Sequence, residues 1–293
     1  MTSSLDPILA ALKRLPLPVI AARAARRLGF RPRWLRSVDF RYAPDASRPL
    51  KAPEILLNAM ESAGLARAAL VDRLAGATLL EIGCGPYAGF APFAIAHGAE
   101  RYIGIDPGLD IDLLTGSAAG RDYLARGLAA AGADKATGVA AAIGRMELKT
   151  AGIADALPEG RKVDVSVSIS CLEHIHDFSA AARAMAAASK PDTVHVHLVN
   201  FSSHLSKAKP FRDLYEGPYE DFARKWNGNI NGLRAPDLER ALADAGLALR
   251  VIVLDSRPEA LPAAMHESWT GAYDRDTLAV RTALFTSLSP ARS

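Results

Sequence analysis

The feature that most constrains this chain is a short apolar run that empties into glycine. Thr78-Leu79-Leu80-Glu81-Ile82 lies between Gly76 and Gly83, with the length and composition of a strand buried on both faces of a parallel sheet. It leads directly into Gly83-Cys84-Gly85-Pro86-Tyr87-Ala88-Gly89, which opens a helix running to about His97 and stopped by Gly98. Arg101 to Ile105 then reads as a second strand ending at Asp106. This is a β-loop-α-β unit, and parallel strands joined through a helix commit the chain to an α/β sheet.

Glycine belongs where a backbone turns sharply off a strand and a ligand approaches closer than a Cβ permits. A carboxylate at the end of the next strand accepts hydrogen bonds from the hydroxyls of a nucleoside ribose. Glycine loop and Asp106 together therefore point to a nucleoside cofactor. The spacing Gly83-x-Gly85-x-x-Ala88 also satisfies the dinucleotide fingerprint, so the loop alone leaves the cofactor open.

Composition narrows the class. The 293 residues are 49% apolar and 23% charged, which sets aside disordered, collagen-like and disulfide-scaffold chains and predicts one large domain or two small ones. Two cysteines, Cys84 and Cys171, are too few for a disulfide framework or a structural zinc site and suit a reducing cytoplasm. The apolar runs of residues 1–27 are broken by charges and prolines, so neither a leader nor a membrane span is expected.

The net charge of +3 hides an asymmetry. Residues 1–50 hold ten Lys/Arg against Asp6, Asp39 and Asp45, a local +7, which leaves the remainder at −4. Asp6-Pro7 reads as the start of a short helix with Ile8, Leu9, Leu12 and Leu15 on one face. A second helix from Val19 to Leu28 carries Arg23, Arg26 and Arg27 and stops at Gly29. This basic extension is either a solvated helical cap or a contact for an anionic partner, a membrane surface or RNA.

Glu81 ahead of the first glycine, Cys84-Gly85-Pro86, and the later Ser170-Cys171-Leu172-Glu173-His174-Ile175-His176-Asp177 together resemble class I S-adenosylmethionine-dependent methyltransferases. The resemblance runs in order from about residue 53 to the C-terminus. It takes in a helical stretch to about Leu74, strands Val163–Ile169 and Thr193–Asn200 and a helix about Phe178–Ser189. It continues through the phrase from Leu233 to Gly246 to a last strand near Leu278–Leu288. It implies an α/β fold, a Rossmann-like, doubly wound, seven-stranded and mostly parallel sheet with helices on both faces, over residues 51–293. Its last-numbered strand is antiparallel, and residues 1–50 form an N-terminal helical extension outside the match.

The resemblance also implies S-adenosylmethionine as cofactor and a set of site residues. Glu81 organises the loop that holds the methionine amino group, Gly83, Cys84 and Gly85 give backbone contact, and Asp106 binds the ribose. Asp155 and Ser170 or Cys171 line the adenine and methionine portions. Tyr87 stands where many members have a third glycine, so Gly89 is expected to take that role. Ile153 stands where members often carry an adenine-contacting acid. On residue chemistry alone, Cys84 and Cys171 read as small buried neighbours.

Five of the seven histidines fall between 174 and 204, and His195 and His197 alternate onto one strand face. Fourth and fifth strands are neighbours in such a sheet, so His174 and His176 are expected near Asn200 and His204, outside the carboxyl ends where ligands bind. Methyl transfer is an in-line displacement, and a hydroxyl acceptor needs a base. His174 or His204 is expected to serve, with His176 and Asp177 orienting or standing in. His197-x-x-Asn200-x-x-Ser203-His204 resembles a His-x-x-Asp-x-x-Asp-His pattern of some bacterial members with both acids replaced, and no metal is assigned. Residues 201–232 carry Phe211, Tyr215, Tyr219, Phe222 and Trp226, as an acceptor-side cap or as a cover with its own small core.

The activity expected is methyl transfer from S-adenosylmethionine to an oxygen of a small-molecule acceptor, a sugar-type or other biosynthetic intermediate. RNA or lipid acceptors form the alternative. An NAD-dependent oxidoreductase and a non-catalytic module of the same fold are the competing classes.

Overall fold

A computed structural model describes residues 51–133, 138–157, 160–204, 209–211, 213–225 and 230–289. The expected N-terminal extension and Trp226 lie outside them. Seven strands form one sheet: β1 (Thr78–Ile82), β2 (Arg101–Ile105), β3 (Met146–Lys149), β4 (Val163–Ile169), β5 (Ser189–Asn200), β6 (Arg250–Ser256) and β7 (Val280–Thr286). Their spatial order is β3-β2-β1-β4-β5-β7-β6. β1 to β5 run parallel, and β7 lies antiparallel between β5 and β6. This is the Rossmann-like sheet that the family resemblance implies.

The period of two along β1 divides its side chains between two cores. Leu79 joins Leu56 and Met60 of α1 (Ala52–Ser62), with Leu70 of α2 (Ala68–Val71), Ala91 and Ala94 of α3 (Ala91–Ala96) and Tyr123 of α4 (Ala118–Ala130). Ala142 of α5 (Val139–Gly144) packs at the edge of that side. Leu80 and Ile82 face the other way, onto Ile153 of α6 (Ile153–Ala156), Phe178 and Met185 of α7 (Phe178–Ala188), and Leu238 and Leu242 of α9 (Ala235–Asp244). Each Leu, Ile, Met or Phe side chain among these contributes roughly 1.5–3 kcal/mol by leaving water.

A third core belongs to the connection after β5. Phe211, Leu214, Tyr215, Phe222 of α8 (Tyr219–Lys225) and Ile230 close around Trp269 of α10 (Glu267–Thr270) and Leu278 of α11 (Arg275–Ala279). The aromatics at 211, 215 and 222 are buried in this cluster, so they build a cover rather than a wall of the cofactor cavity. No helix among the described residues is long and apolar enough to cross a membrane.

β1 lies between β2 and β4, and the connections from these strands leave toward opposite faces of the sheet. That divergence opens a crevice at their carboxyl ends.

Candidate active site

The crevice is a cavity of about 370 Å³ bounded by Gly83, Asp106, Pro107, Gly152, Ile153, Ser170, Cys171, His174 and Ile175, within the range of about 300–1,000 Å³ usual for small-molecule sites. Gly83 takes φ 72°, and a Cβ there would sit 2.2 Å from Sγ of Cys171. Glycine is therefore enforced twice, by conformation and by the neighbouring strand end. At Gly85 (φ 63°) the reason differs: a Cβ would meet nothing within 4 Å, so the bare backbone faces open space.

Asp106 ties the loop in place. Its Oδ2 accepts the Gly85 N–H at 2.9 Å and its Oδ1 the Gly108 N–H at 2.5 Å. A carboxylate offers about four acceptor positions, so lone pairs remain for a ribose diol. Ile82, Ile105, Pro107, Ile153 and Ile175 supply the apolar walls an adenine requires. Open glycine backbone, ribose acceptor and apolar slot fit S-adenosylmethionine, which when bound supplies a methyl group on a sulfonium.

Glu81 works from beneath. Its buried carboxylate accepts hydrogen bonds from the Tyr102 hydroxyl and the Phe90 backbone, and burial pushes its pKa up to about 7. It thus pins the start of α3 to β2 and lies outside the cavity wall. Cys84 is buried behind the loop, where desolvation raises its thiol pKa. Cys171 and Ser170 line the cavity, with the Cys171 thiol likewise pushed up by burial.

Two expected cofactor contacts lie elsewhere. Gly89 faces a different cavity, formed with Pro53, Leu57 and Phe93, and the left-handed turn residue is Ala88 (φ 46°). The loop absorbs Tyr87 one residue earlier than expected. Asp155 is exposed, and the residues of its turn that reach the cavity are Gly152, Ile153 and Ala154. An α-helical turn begins at Ile153, and it points the apolar residue inward and the acid out.

The acceptor side gathers three residues. The rings of His174 and His204 lie 5.0 Å apart, edge to face. Oε1 of Glu173 accepts the Asn200 N–H at 3.3 Å and stands 3.9 Å from Nε2 of His204. Glu173 is buried while both histidines are exposed, and burial pushes its carboxyl up to about 8. Partial desolvation and, after it, the nearby His174 lower the His204 pKa, which favours its neutral imidazole. Ser170 (φ 48°) and His204 (φ 57°) adopt left-handed backbone beside this cluster, and such strain, of order 1–3 kcal/mol each, concentrates at functional sites.

His176 does not join them. It is exposed and outside the cavity wall, while Asp177 lines it and caps α7 through the Ala180 N–H at 2.9 Å. His195 and His197 are buried on one face of β5. Ser189, His195, His197 and Ser168 form a hydrogen-bonded chain with contacts of 3.0, 3.3 and 3.0 Å.

Three contributors were not singled out from the sequence. Glu173 carries a signal there, an acid next to His174 immediately after β4. Asn231 donates to Leu172 O at 3.0 Å and Ile175 O at 2.9 Å, and its N–H to Glu173 O at 2.6 Å. It therefore fastens the cover to the turn bearing Glu173 and His174. Arg234, also buried, donates to Phe201 O, Tyr215 Oη and Gly232 O. Nothing in the local sequence marks either as buried.

Sheet order, glycine loop and ribose acceptor define a nucleoside-dependent α/β transferase of the class I type. A family model described as a methyltransferase domain matches residues 61–251. The chain belongs to that family, and it is an S-adenosylmethionine-dependent methyltransferase. This settles the choice left open by the dinucleotide-like spacing. No curated protein matches the sequence.

Among solved structures, an S-adenosylmethionine-dependent methyltransferase from Mesorhizobium loti is 19% identical with a TM-score of 0.43, over 73% of this chain and 91% of that one. A geranyl diphosphate C-methyltransferase from Streptomyces coelicolor A3(2) is 18% identical with a TM-score of 0.45, over 74% of each chain.

Proposed function

We propose that the enzyme methylates an oxygen of a small-molecule acceptor, a hydroxylated biosynthetic intermediate of sugar type or similar. The observation that supports this reading is the Glu173–His174–His204 cluster at the mouth of the cofactor cavity, with His174 on its wall. The acceptor oxygen attacks the methyl carbon in line with the sulfonium. A C–O bond forms as the C–S bond breaks with its electron pair on sulfur, and the hydroxyl proton passes to a neutral imidazole. His204, whose pKa partial desolvation lowers, is the first candidate for that proton and His174 the second.

The test is turnover with methyl-labelled S-adenosylmethionine on a panel of hydroxylated, amino and thiol small molecules, with RNA and lipid vesicles in parallel. O-methyl products are expected. His204→Ala should lower kcat by about 10²–10⁴-fold and leave affinity for S-adenosylhomocysteine unchanged. Transfer only to nitrogen, sulfur, RNA or lipid, or full turnover after both histidines are replaced, refutes the reading.

A further inference from the structure

We infer that Glu173, His174 and His204 form a three-ligand site for one divalent cation at the mouth of the cofactor cavity. Each residue offers one ligand atom, and these atoms lie within 4.8 Å of one another. Ligands about 2.0–2.2 Å from a common ion sit closer together than that, so the three groups need only draw together by side-chain adjustment to share one ion.

The carboxylate carries the argument. Glu173 is 1% exposed, and its Oε2 is buried with no hydrogen-bond partner. Arg234, whose charge reaches it, spends its hydrogen bonds on Phe201, Gly232 and Tyr215 instead. A buried carboxylate oxygen left bare is costly, and a cation held between it and two imidazoles would satisfy it. The buried pair His195 and His197 offers no such vacancy, because Ser189 and Ser168 occupy their outer nitrogens.

Two nitrogens and one oxygen suit zinc, manganese, cobalt or ferrous iron, whereas calcium and magnesium favour all-oxygen shells. Three protein ligands would leave coordination positions open, as in catalytic rather than structural sites, and one of the three, His174, lies on the cavity wall. Resting on the acceptor-oxygen reading, the inference gives the cluster a second way to act. A cation held by Glu173, His174 and His204 would supply Lewis acidity that lowers the pKa of an acceptor hydroxyl, while the bonds made and broken in methyl transfer stay the same.

The experiment titrates Mn²⁺ into the chelator-treated full-length protein and reads bound ion by electron paramagnetic resonance. One ion per chain is expected in the wild type. Glu173→Gln and His204→Ala should each weaken binding by at least about tenfold, while His176→Ala, whose exposed side chain lies outside the cluster and the cavity wall, binds Mn²⁺ as the wild type does. Affinity of each variant for S-adenosylhomocysteine reports its folding. The visible spectrum of the Co²⁺-loaded wild type reads imidazole ligation without any substitution.

No bound ion in the wild type, a Co²⁺ spectrum like that of the aqueous ion, or unchanged binding in both folded variants overturns the site. The two readings fail separately. O-methylation by protein that holds no Mn²⁺ removes the cation site alone, and Mn²⁺ binding without any O-methyl product removes the acceptor reading alone.

Discussion

Gly83 shows how one residue can be fixed by two independent constraints. Gly83→Ala places a Cβ in left-handed backbone and against Cys171. A loss of at least about 1–2 kcal/mol of stability, read by denaturant unfolding, should accompany weakened binding of S-adenosylhomocysteine. Asp106→Ala removes the acceptor of two loop N–H groups as well as the ribose acceptor. It should cost roughly 1.5–3 kcal/mol of cofactor affinity, measured by titration calorimetry, and unchanged affinity in a folded variant would take Asp106 out of the site. At this scale the position of Gly83 and Asp106 beside the cavity was legible, because each follows directly on a strand end. The direction of Asp155 was not, because one helical turn at Ile153 sends it to solvent.

Among the elements, β5 holds the most pH-sensitive feature. Burial lowers the His195 pKa to about 4 and that of His197 well below its usual range. The unfolded chain, whose histidines titrate near 6.5, binds more protons between those values, so this pair's contribution to stability is full above about pH 6.5 and falls as the pH drops toward 4, by up to about 1.4 kcal/mol per pH unit for each histidine. Glu81 and Glu173, with raised values, act with the opposite sign. The informative quantity is therefore the difference between wild type and His195→Gln in unfolding scans from pH 7.5 to 4.5, which should narrow as the pH falls.

β1, β2 and β4 match their expected bounds, because short apolar runs flanked by glycine or polar residues leave little freedom of register. The expected helix from Pro53 to Leu74 is instead α1 and α2, separated around Gly64 in left-handed backbone. β5 starts at Ser189 rather than Thr193. β6 was not delimited, since an edge strand of intermediate burial lacks clean alternation.

At the scale of the whole molecule, the cover over residues 201–232 and the catalytic end of the sheet are one mechanical unit. Trp269 anchors the third core, and Asn231 and Arg234 connect that core to the turn carrying Glu173 and His174. Trp269→Ala should cost about 3–5 kcal/mol. In steady-state assays it should lower kcat more than it weakens cofactor binding, because the Asp106 end of the cavity does not rest on that core. Which aromatics would line a pocket and which would bury one another could not be read from a single chain. Both roles ask for the same side chains, and only the position of Trp269, far along the sequence, decides.

The strand order has a consequence for biosynthesis. Among the described residues β6 pairs only with β7, and β7 also supplies the outer neighbour of β5. A nascent chain that has released residues up to Ser256 therefore exposes an unpaired edge on β5 and a strand with nowhere to dock. Unpaired edges of this kind recruit other chains. Synthesis of β7, rather than assembly of the cofactor loop some 200 residues earlier, is therefore the step that closes the open edge of β5 and gives β6 its partner.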